Sequence, residues 1–409
     1  MFDKSHMKAW RAACDVPGEN LKGAQRRPFI TIGGKPMKGS VPIALVINLQ
    51  GWRYHLSIWP AVRLSSWVTG VYVDLGRCLA VNDIRYTKPF DLPDTASLEA
   101  DQADIDCLVI GAGPAGLTTA IYLSRFHRRV LVADGGKSRA SLIPLSHNYP
   151  GFPPGISGND LLTRLREQAT CYGAAIEAGR VEALRGEGNG FVATLNGRLV
   201  SARRVVVATG IVDTLPEMDK AYDAVAQTMV RLCAICDGYE VNGDNVAIYG
   251  EVHCAIGHAM FLRNFTDRVT VLVENCDPAC EEAVAAARDA GIRIIQDQAE
   301  GIEVCENQVQ VTTCKGETHR FDIVYPSLGS HICSELAVQL GARTDEEGAL
   351  QVDAHQRTTV EGLYAVGDVV DSLKQISVAT GQAAVCATAV HASLEMRMWD
   401  RKRDAVACS

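Results

Sequence analysis

The most constraining feature of this chain is a strand, a glycine turn and a helix in immediate succession. After Asp106 the apolar run Cys107-Leu108-Val109-Ile110 enters Gly111-Ala112-Gly113-Pro114-Ala115-Gly116 and continues as a helical stretch from Leu117 to Phe126. Each glycine has its own task at this spacing. Gly111 makes the tight turn, Gly113 lets backbone approach a pyrophosphate, and Gly116 lets the helix pack closely on the strand. Pro114 and Ala115 open the helix, whose unpaired N–H groups then face the phosphates. A second apolar strand, Val130 to Ala133, ends in Asp134. That acid stands roughly twenty residues past the first glycine, where a carboxylate binds ribose hydroxyls. The order of these parts reads as a dinucleotide-binding βαβ unit; the plainer alternative is a tight βα turn without a ligand.

Length and composition set the frame around this unit. The 409 residues correspond to two or three domains at roughly 150 residues each. With 47% hydrophobic and 22% charged residues and mean hydropathy +0.03, the composition is globular. A net charge of −8 argues against a general nucleic-acid or anionic-membrane binder, which needs a basic surface. The charge is unevenly spread: residues 1–100 carry 13 Lys and Arg against 8 Asp and Glu, and four of the five Trp (Trp10, Trp52, Trp59, Trp67). This hundred-residue segment therefore reads as a separate unit. It shows turn signals at Gly33-Gly34 and Pro36 and strand-like runs at Val41–Asn48 and Val68–Leu75, but no catalytic constellation. An accessory or partner-binding arm and a plain extension both fit it, and the polar stretch Pro93–Asp104 reads as a linker.

The 14 cysteines are scattered rather than arranged as a secreted disulfide framework, so reduced thiols in the cytoplasm are expected. The apolar run Val41–Leu49 is too short to span a bilayer, and Trp52–Leu75 is broken by Arg53, His55 and Arg63. Lys4, His6, Lys8 and Arg11 occupy the stretch where a signal peptide would place its apolar core.

Three further motifs follow. Val205-Val206-Val207 runs into Ala208-Thr209-Gly210, and Leu363-Tyr364-Ala365-Val366 runs into Gly367-Asp368, each a buried strand ending in a small-residue turn. Between them stands Cys233-Ala234-Ile235-Cys236-Asp237-Gly238. A CxxC on one helical turn brings two thiols together, and each lowers the effective pKa of the other, so the pair can cycle between dithiol and disulfide. Half of a zinc site is the alternative, with Cys276 and Cys280 as further thiols some forty residues on. Asp237 is placed to act as base and then acid for a thiol, or to form an ordinary Asp-Gly turn.

Taken together, residues 103 to about 398 resemble the low-molecular-weight thioredoxin reductases. The likeness rests on the first glycine motif, Ala208-Thr209-Gly210, Cys233-Ala234-Ile235-Cys236-Asp237-Gly238, the turn Asn148-Tyr149-Pro150-Gly151, Gly367-Asp368 and a downstream Gln375. It implies an α/β architecture with two Rossmann-like dinucleotide-binding domains, the second inserted into the first. FAD would occupy residues 103–214 and 327–398, and the redox and nucleotide fold residues 215–326. Residues 1–102 would then be an N-terminal extension and 399–409 a tail. By the same resemblance, Asp368 would hold the ribityl chain, Cys233 would attack the substrate disulfide, Cys236 would sit against the flavin, and Asp237 would move the proton. The family's second domain rotates to present the dithiol alternately to flavin and partner. The implied partner is thioredoxin or a small dithiol, the implied assembly a homodimer.

The second glycine motif is altered. The strand Val246–Tyr249 is followed by Gly250-Glu251-Val252-His253-Cys254-Ala255, which keeps the first glycine and a small residue at Ala255 but places Val252 where a Cβ obstructs a pyrophosphate. The next strand, Val269–Val273, ends in Glu274, which suits a ribose 2′-hydroxyl, and Asn275-Cys276-Asp277 replaces the family's basic pair for a 2′-phosphate. Three readings stay open: a reductase driven by NADPH or NADH, a flavin dithiol enzyme independent of nicotinamide that uses oxygen or another carrier, and an FAD-containing regulatory module. His253 and His258 read as helix-face residues, Cys276 and Cys280 as ordinary thiols, and Cys254 as a packing residue, so no metal site is expected.

Overall fold

The computed structural model describes residues 105–273, 281–396 and 398, and the backbone of residues 43–49 and 52–58. The expectations for Val68–Leu75, for the linker, for Glu274 to Cys280 and for the tail lie outside the described residues. Residues 43–49 and 52–58 pair as an antiparallel hairpin, Ile43 opposite Ile58 and Leu49 opposite Trp52. This matches the strand expected at Val41–Asn48, within a unit distinct from the body of the chain.

In the body, the period-two rule explains the apolar runs. Cys107 and Val109 enter one core with Val130, Val132 and Val206, while Leu108 and Ile110 enter another with Leu131, Ala133, Val205 and Val207. Both faces of the sheet are covered here, so the runs Cys107–Ile110, Val130–Ala133 and Val205–Val207 are apolar throughout. The strands Ala175–Ala178, Val130–Asp134, Ile105–Ile110 and Arg198–Val207 lie side by side in that order, all parallel. Arg198–Val207 is long enough to serve two partners on its other edge: its first half pairs antiparallel with Gly190–Leu195, and its last three residues pair parallel with Leu363–Ala365. The chain thus returns, more than 150 residues later, to complete the first sheet. Helix Ile376–Ala392 then packs on helix Pro114–Arg125.

Between these visits the chain builds a second layered unit. Its parallel sheet has the order Arg293–Ile295, Val269–Val273, Val246–Gly250, Ile323–Ser327. One face is covered by helices Val252–Leu262 and Glu281–Asp289, the other by an antiparallel sheet of Ala299–Cys305, Gln308–Thr313 and Thr318–Phe321. The two crossings between units run beside each other as a short antiparallel ribbon, Ile211–Asp213 against Ser330–Ile332. The fold is α/β, with two Rossmann-like units and the second inserted into the first. No helix among the described residues is long and apolar enough to cross a membrane.

Candidate functional site

Strand order in the first sheet reverses between Ile105–Ile110 and Arg198–Val207, the place where open α/β sheets leave a crevice at their carboxyl ends. Gly111 and Ala208 meet there. Gly111 has φ +113°, and a Cβ on it would overlap the carbonyl oxygen of Ala208. A Cβ on Gly116 would overlap the carbonyl oxygen of Gly111. These two glycines are therefore required by packing alone. Gly113 is different. Only Ser138 Oγ, at 3.3 Å, faces its missing Cβ, and it begins helix Pro114–Arg125 with no side chain accepting from the first amides.

A cavity of about 980 Å³ extends from this helix terminus, at the upper end of the usual size of cofactor sites. Its wall contains Gly111, Gly113, Pro114, Ala115, Asp134, Asn148, Ala208, Thr209, Gly210, Gly367, Asp368 and Gln375, and it reaches Cys233, Cys236 and Asp237. Gly116, expected at this site, is not on that wall, and Gly250 and Ala255, expected at a second dinucleotide site, do not line this cavity. Asp134 accepts from the Gly136 N–H at 2.9 Å and pairs with Arg166 at 2.6 Å. Burial raises the Asp368 carboxyl above its ordinary pKa, and Arg139 and Lys374 oppose that shift. Arg139 lies 3.7 Å from Asp368 and grips Asp213, on the ribbon between the two units, through two hydrogen bonds of 2.6 and 2.9 Å. The residues fit a flavin dinucleotide: an uncapped helix terminus for the pyrophosphate, an acid for the ribose, and a cavity whose wall also holds a redox pair.

In that wall, Cys233 and Cys236 form a disulfide, with Cα atoms 5.3 Å apart. The pair occupies one helical turn, Ala234–Asp237, with Cys233 as N-cap accepting the Cys236 N–H at 3.2 Å. Both sulfurs are used in this bond. The Gln375 amide donates to them at 3.4 and 3.3 Å, and its carbonyl accepts from Asn148 Nδ2 at 2.9 Å. Two residues named only through family resemblance thus converge on the disulfide.

Asp237 is held from two directions. Tyr325 OH, on the edge strand Ile323–Ser327, donates to Oδ1 at 2.7 Å, and Arg231 donates to the Asp237 carbonyl at 3.1 Å, with its guanidinium 4.0 Å from Oδ2. Burial nevertheless raises the Asp237 carboxyl above its ordinary pKa, with the Tyr325 hydrogen bond and Arg231 partly offsetting it. A carboxyl so placed can carry a proton beside a thiol. Arg139, Asp213, Arg231 and Tyr325 were not marked in the sequence. None sits in a motif, and an acid or a tyrosine in a short strand has many ordinary uses.

The second glycine motif forms strand Val246–Gly250 and helix Val252–Leu262 as anticipated. Its details differ from the first. A Cβ on Gly250 would overlap the carbonyl oxygen of Ser327, so strand packing requires this glycine. Ala255 is fully buried, and Val252 is 4% exposed at the first helical position. Glu251 is the N-cap, and its carboxylate accepts from the N–H groups of His253 and Cys254, both at 3.1 Å. Cys254 is half-buried rather than a core residue. The amides that would meet a pyrophosphate already have a carboxylate, so the residues do not fit a nicotinamide dinucleotide.

Comparison with known proteins agrees with the fold. Residues 105–383 match the pyridine nucleotide-disulphide oxidoreductase family. The chain is 28% identical over 319 residues to a thioredoxin reductase of Mycolicibacterium smegmatis, covering 75% of this chain and all of that one. Another, from Borreliella burgdorferi, is 27% identical over 304 residues, covering 71% of this chain and 91% of its own. The crystal structure of thioredoxin reductase from Streptococcus pyogenes superposes with a TM-score of 0.66 at 26% identity, over 71% of this chain and 98% of that one. With its two Rossmann-like units and a disulfide in the wall of the cofactor cavity, the chain belongs to the pyridine nucleotide-disulphide oxidoreductase family, as an FAD-dependent disulfide oxidoreductase resembling thioredoxin reductase.

Proposed function

We propose that this protein exchanges electrons between a thioredoxin-like protein or a small dithiol and its flavin through Cys233 and Cys236. The observation that carries the reading is the convergence of the disulfide, Gln375 and Asp237 on the wall of the cavity that also holds Gly113. Gly113, Pro114, Ala115, Asp134, Asn148, Ala208, Thr209, Gly210, Gly367 and Asp368 would hold FAD, with Gly111 and Gly116 shaping the turn. Bound there, FAD supplies a two-electron couple to the dithiol.

The chain's own groups do the rest. A substrate thiolate attacks the disulfide, a mixed disulfide forms, and the displaced sulfur leaves as thiolate; a second substrate thiol resolves the mixed disulfide and leaves the enzyme as dithiol. The Cys236 N–H stabilises negative charge on Cys233, and the Gln375 amide stabilises it on either sulfur. Asp237 takes up or returns the proton. By its place in the motif, Cys233 would meet the substrate and Cys236 would exchange electrons with the flavin. A cytoplasmic homodimer belongs to the same proposal.

Anaerobic titration of the FAD-loaded protein with dithiothreitol tests this. The visible flavin band bleaches in the native chain; Cys233→Ser and Cys236→Ser retain FAD and lose the response. Unchanged bleaching in both variants would overturn the assignment.

A further inference from the structure

The two Rossmann-like helices begin in opposite ways, and the contrast bears on the source of electrons. Helix Pro114–Arg125 starts at a glycine with no side chain on its first amides, above a large cavity. Helix Val252–Leu262 starts at Glu251, which turns both carboxylate oxygens back onto the amides of its own first turn. A helix N-terminus carries roughly half a positive charge, and its amides are the groups that bind a pyrophosphate. Here a full negative charge from the chain satisfies them. Although burial opposes its ionisation, hydrogen bonds from the His253 amide and the Cys254 thiol and amide hold the Glu251 carboxyl below its usual pKa. It therefore stays ionised at neutral pH. An incoming pyrophosphate would have to displace this carboxylate and would meet its charge at close range. Val252 stands at the position where the first motif has Gly113, and its side chain is packed into the core of the inserted unit, which anchors the first helical turn with a Cβ where the first motif has none.

We infer that the inserted domain takes no nicotinamide dinucleotide, that Glu251 and Val252 together close the site, and that the flavin receives its electrons from the thiol side. The inference rests on the flavin and dithiol reading above. In the half-reaction, a substrate dithiol becomes a disulfide by breaking the Cys233–Cys236 bond. With FAD bound, the resulting enzyme dithiol would close again to the disulfide, its two electrons and two protons being taken up by the flavin couple.

The test measures binding and reduction separately on the FAD-loaded protein. NADPH and NADH are titrated anaerobically, binding is followed by nucleotide fluorescence, and reduction by loss of the visible flavin band; dithiothreitol is titrated in parallel. The native chain is expected to bleach with dithiothreitol and to show no saturable binding of either nucleotide up to millimolar concentration. The double substitution Glu251→Ala with Val252→Gly is expected to gain affinity for at least one nucleotide by about tenfold or more, since about 1.4 kcal/mol of removed repulsion gives a factor of ten. Glu251→Gln, which keeps an N-cap acceptor without the charge, gives a smaller gain and serves if the double variant does not fold. Saturable micromolar binding to the native chain, or bleaching by either nucleotide, would overturn the inference while leaving the disulfide chemistry standing. Folded variants that gain no affinity would overturn the role given to Glu251 and Val252. Loss of bleaching by dithiothreitol, with nucleotide binding as expected, would instead count against the flavin–dithiol reading and with it the thiol-side source.

Discussion

The hydrogen bond from Tyr325 to Asp237 gives a prediction whose size follows from the geometry. Tyr325 is 2% exposed, its hydroxyl lies 2.7 Å from Oδ1, and the Asp237 side chain is 28% exposed. A hydrogen bond to a charged group contributes about 1.5–3 kcal/mol. Solvent reaches part of this carboxylate, so the lower end applies, and about 1.4 kcal/mol corresponds to one pKa unit. The hydroxyl donates to the ionised carboxylate. Tyr325→Phe therefore raises the Asp237 pKa by about one further unit, in the same direction as the shift that burial already imposes. The carboxyl remains protonated to higher pH. The limb of the pH–rate profile governed by Asp237 in dithiol reduction of the flavin, followed by stopped flow, is expected to move about one unit toward alkaline pH. Stability depends on pH with the same sign. A folded pKa raised above the unfolded one gives stability that is present below the unfolded value and lost as pH rises through the folded value. The stability cost of Tyr325→Phe is thus largest at neutral pH and shrinks in acid. A folded variant whose limb moves by less than about 0.3 unit would refute the coupling of Tyr325 to the proton-carrying group.

Glycine substitutions separate packing from ligand contact. Gly116→Ala sets a Cβ against the Gly111 carbonyl, a backbone atom that cannot yield, and is expected to cost about 1–3 kcal/mol in urea unfolding and to lower FAD content. Gly113→Ala leaves apoprotein stability within about 1 kcal/mol, because only Ser138 Oγ lies near, but weakens FAD affinity measured by flavin fluorescence; equal effects of the two substitutions would contradict the assignment. Gln375→Leu removes the donor shared by both sulfurs, and is expected to slow the attack on the disulfide by about tenfold, with FAD content unchanged. A rate within twofold of the native chain would show that the amide does not stabilise the thiolates.

How the chain divides between what its residues announce and what its folding arranges depends on distance along the sequence. The first βαβ unit, the CxxC and the second strand and helix were legible. Their signals are local: a glycine that a neighbouring carbonyl requires, an apolar run buried on both faces, two cysteines on one turn. Even the insertion showed, since the flavin motifs lie on both sides of Cys233. The environment of those parts was not legible. Tyr325 reaches Asp237 across 88 residues and Gln375 reaches Cys233 across 142. Arg139 meets Asp213 across 74 residues, and no periodicity marks any of them. Asn148, Gln375 and Asp368 were found only because a family pattern names them.

Glu251 shows the same division within a single turn. The sequence alone supplied an acid between Gly250 and Val252 in a damaged glycine motif. Only the folded structure decided that the carboxylate turns back on the helix amides, because a side chain's partner is set by the backbone directions around it. Sequence thus determined which parts this protein has, through interactions among neighbours. Tertiary structure decided which groups tune the disulfide and what occupies the second helix terminus, because those contacts join strands and turns that packing alone brings together.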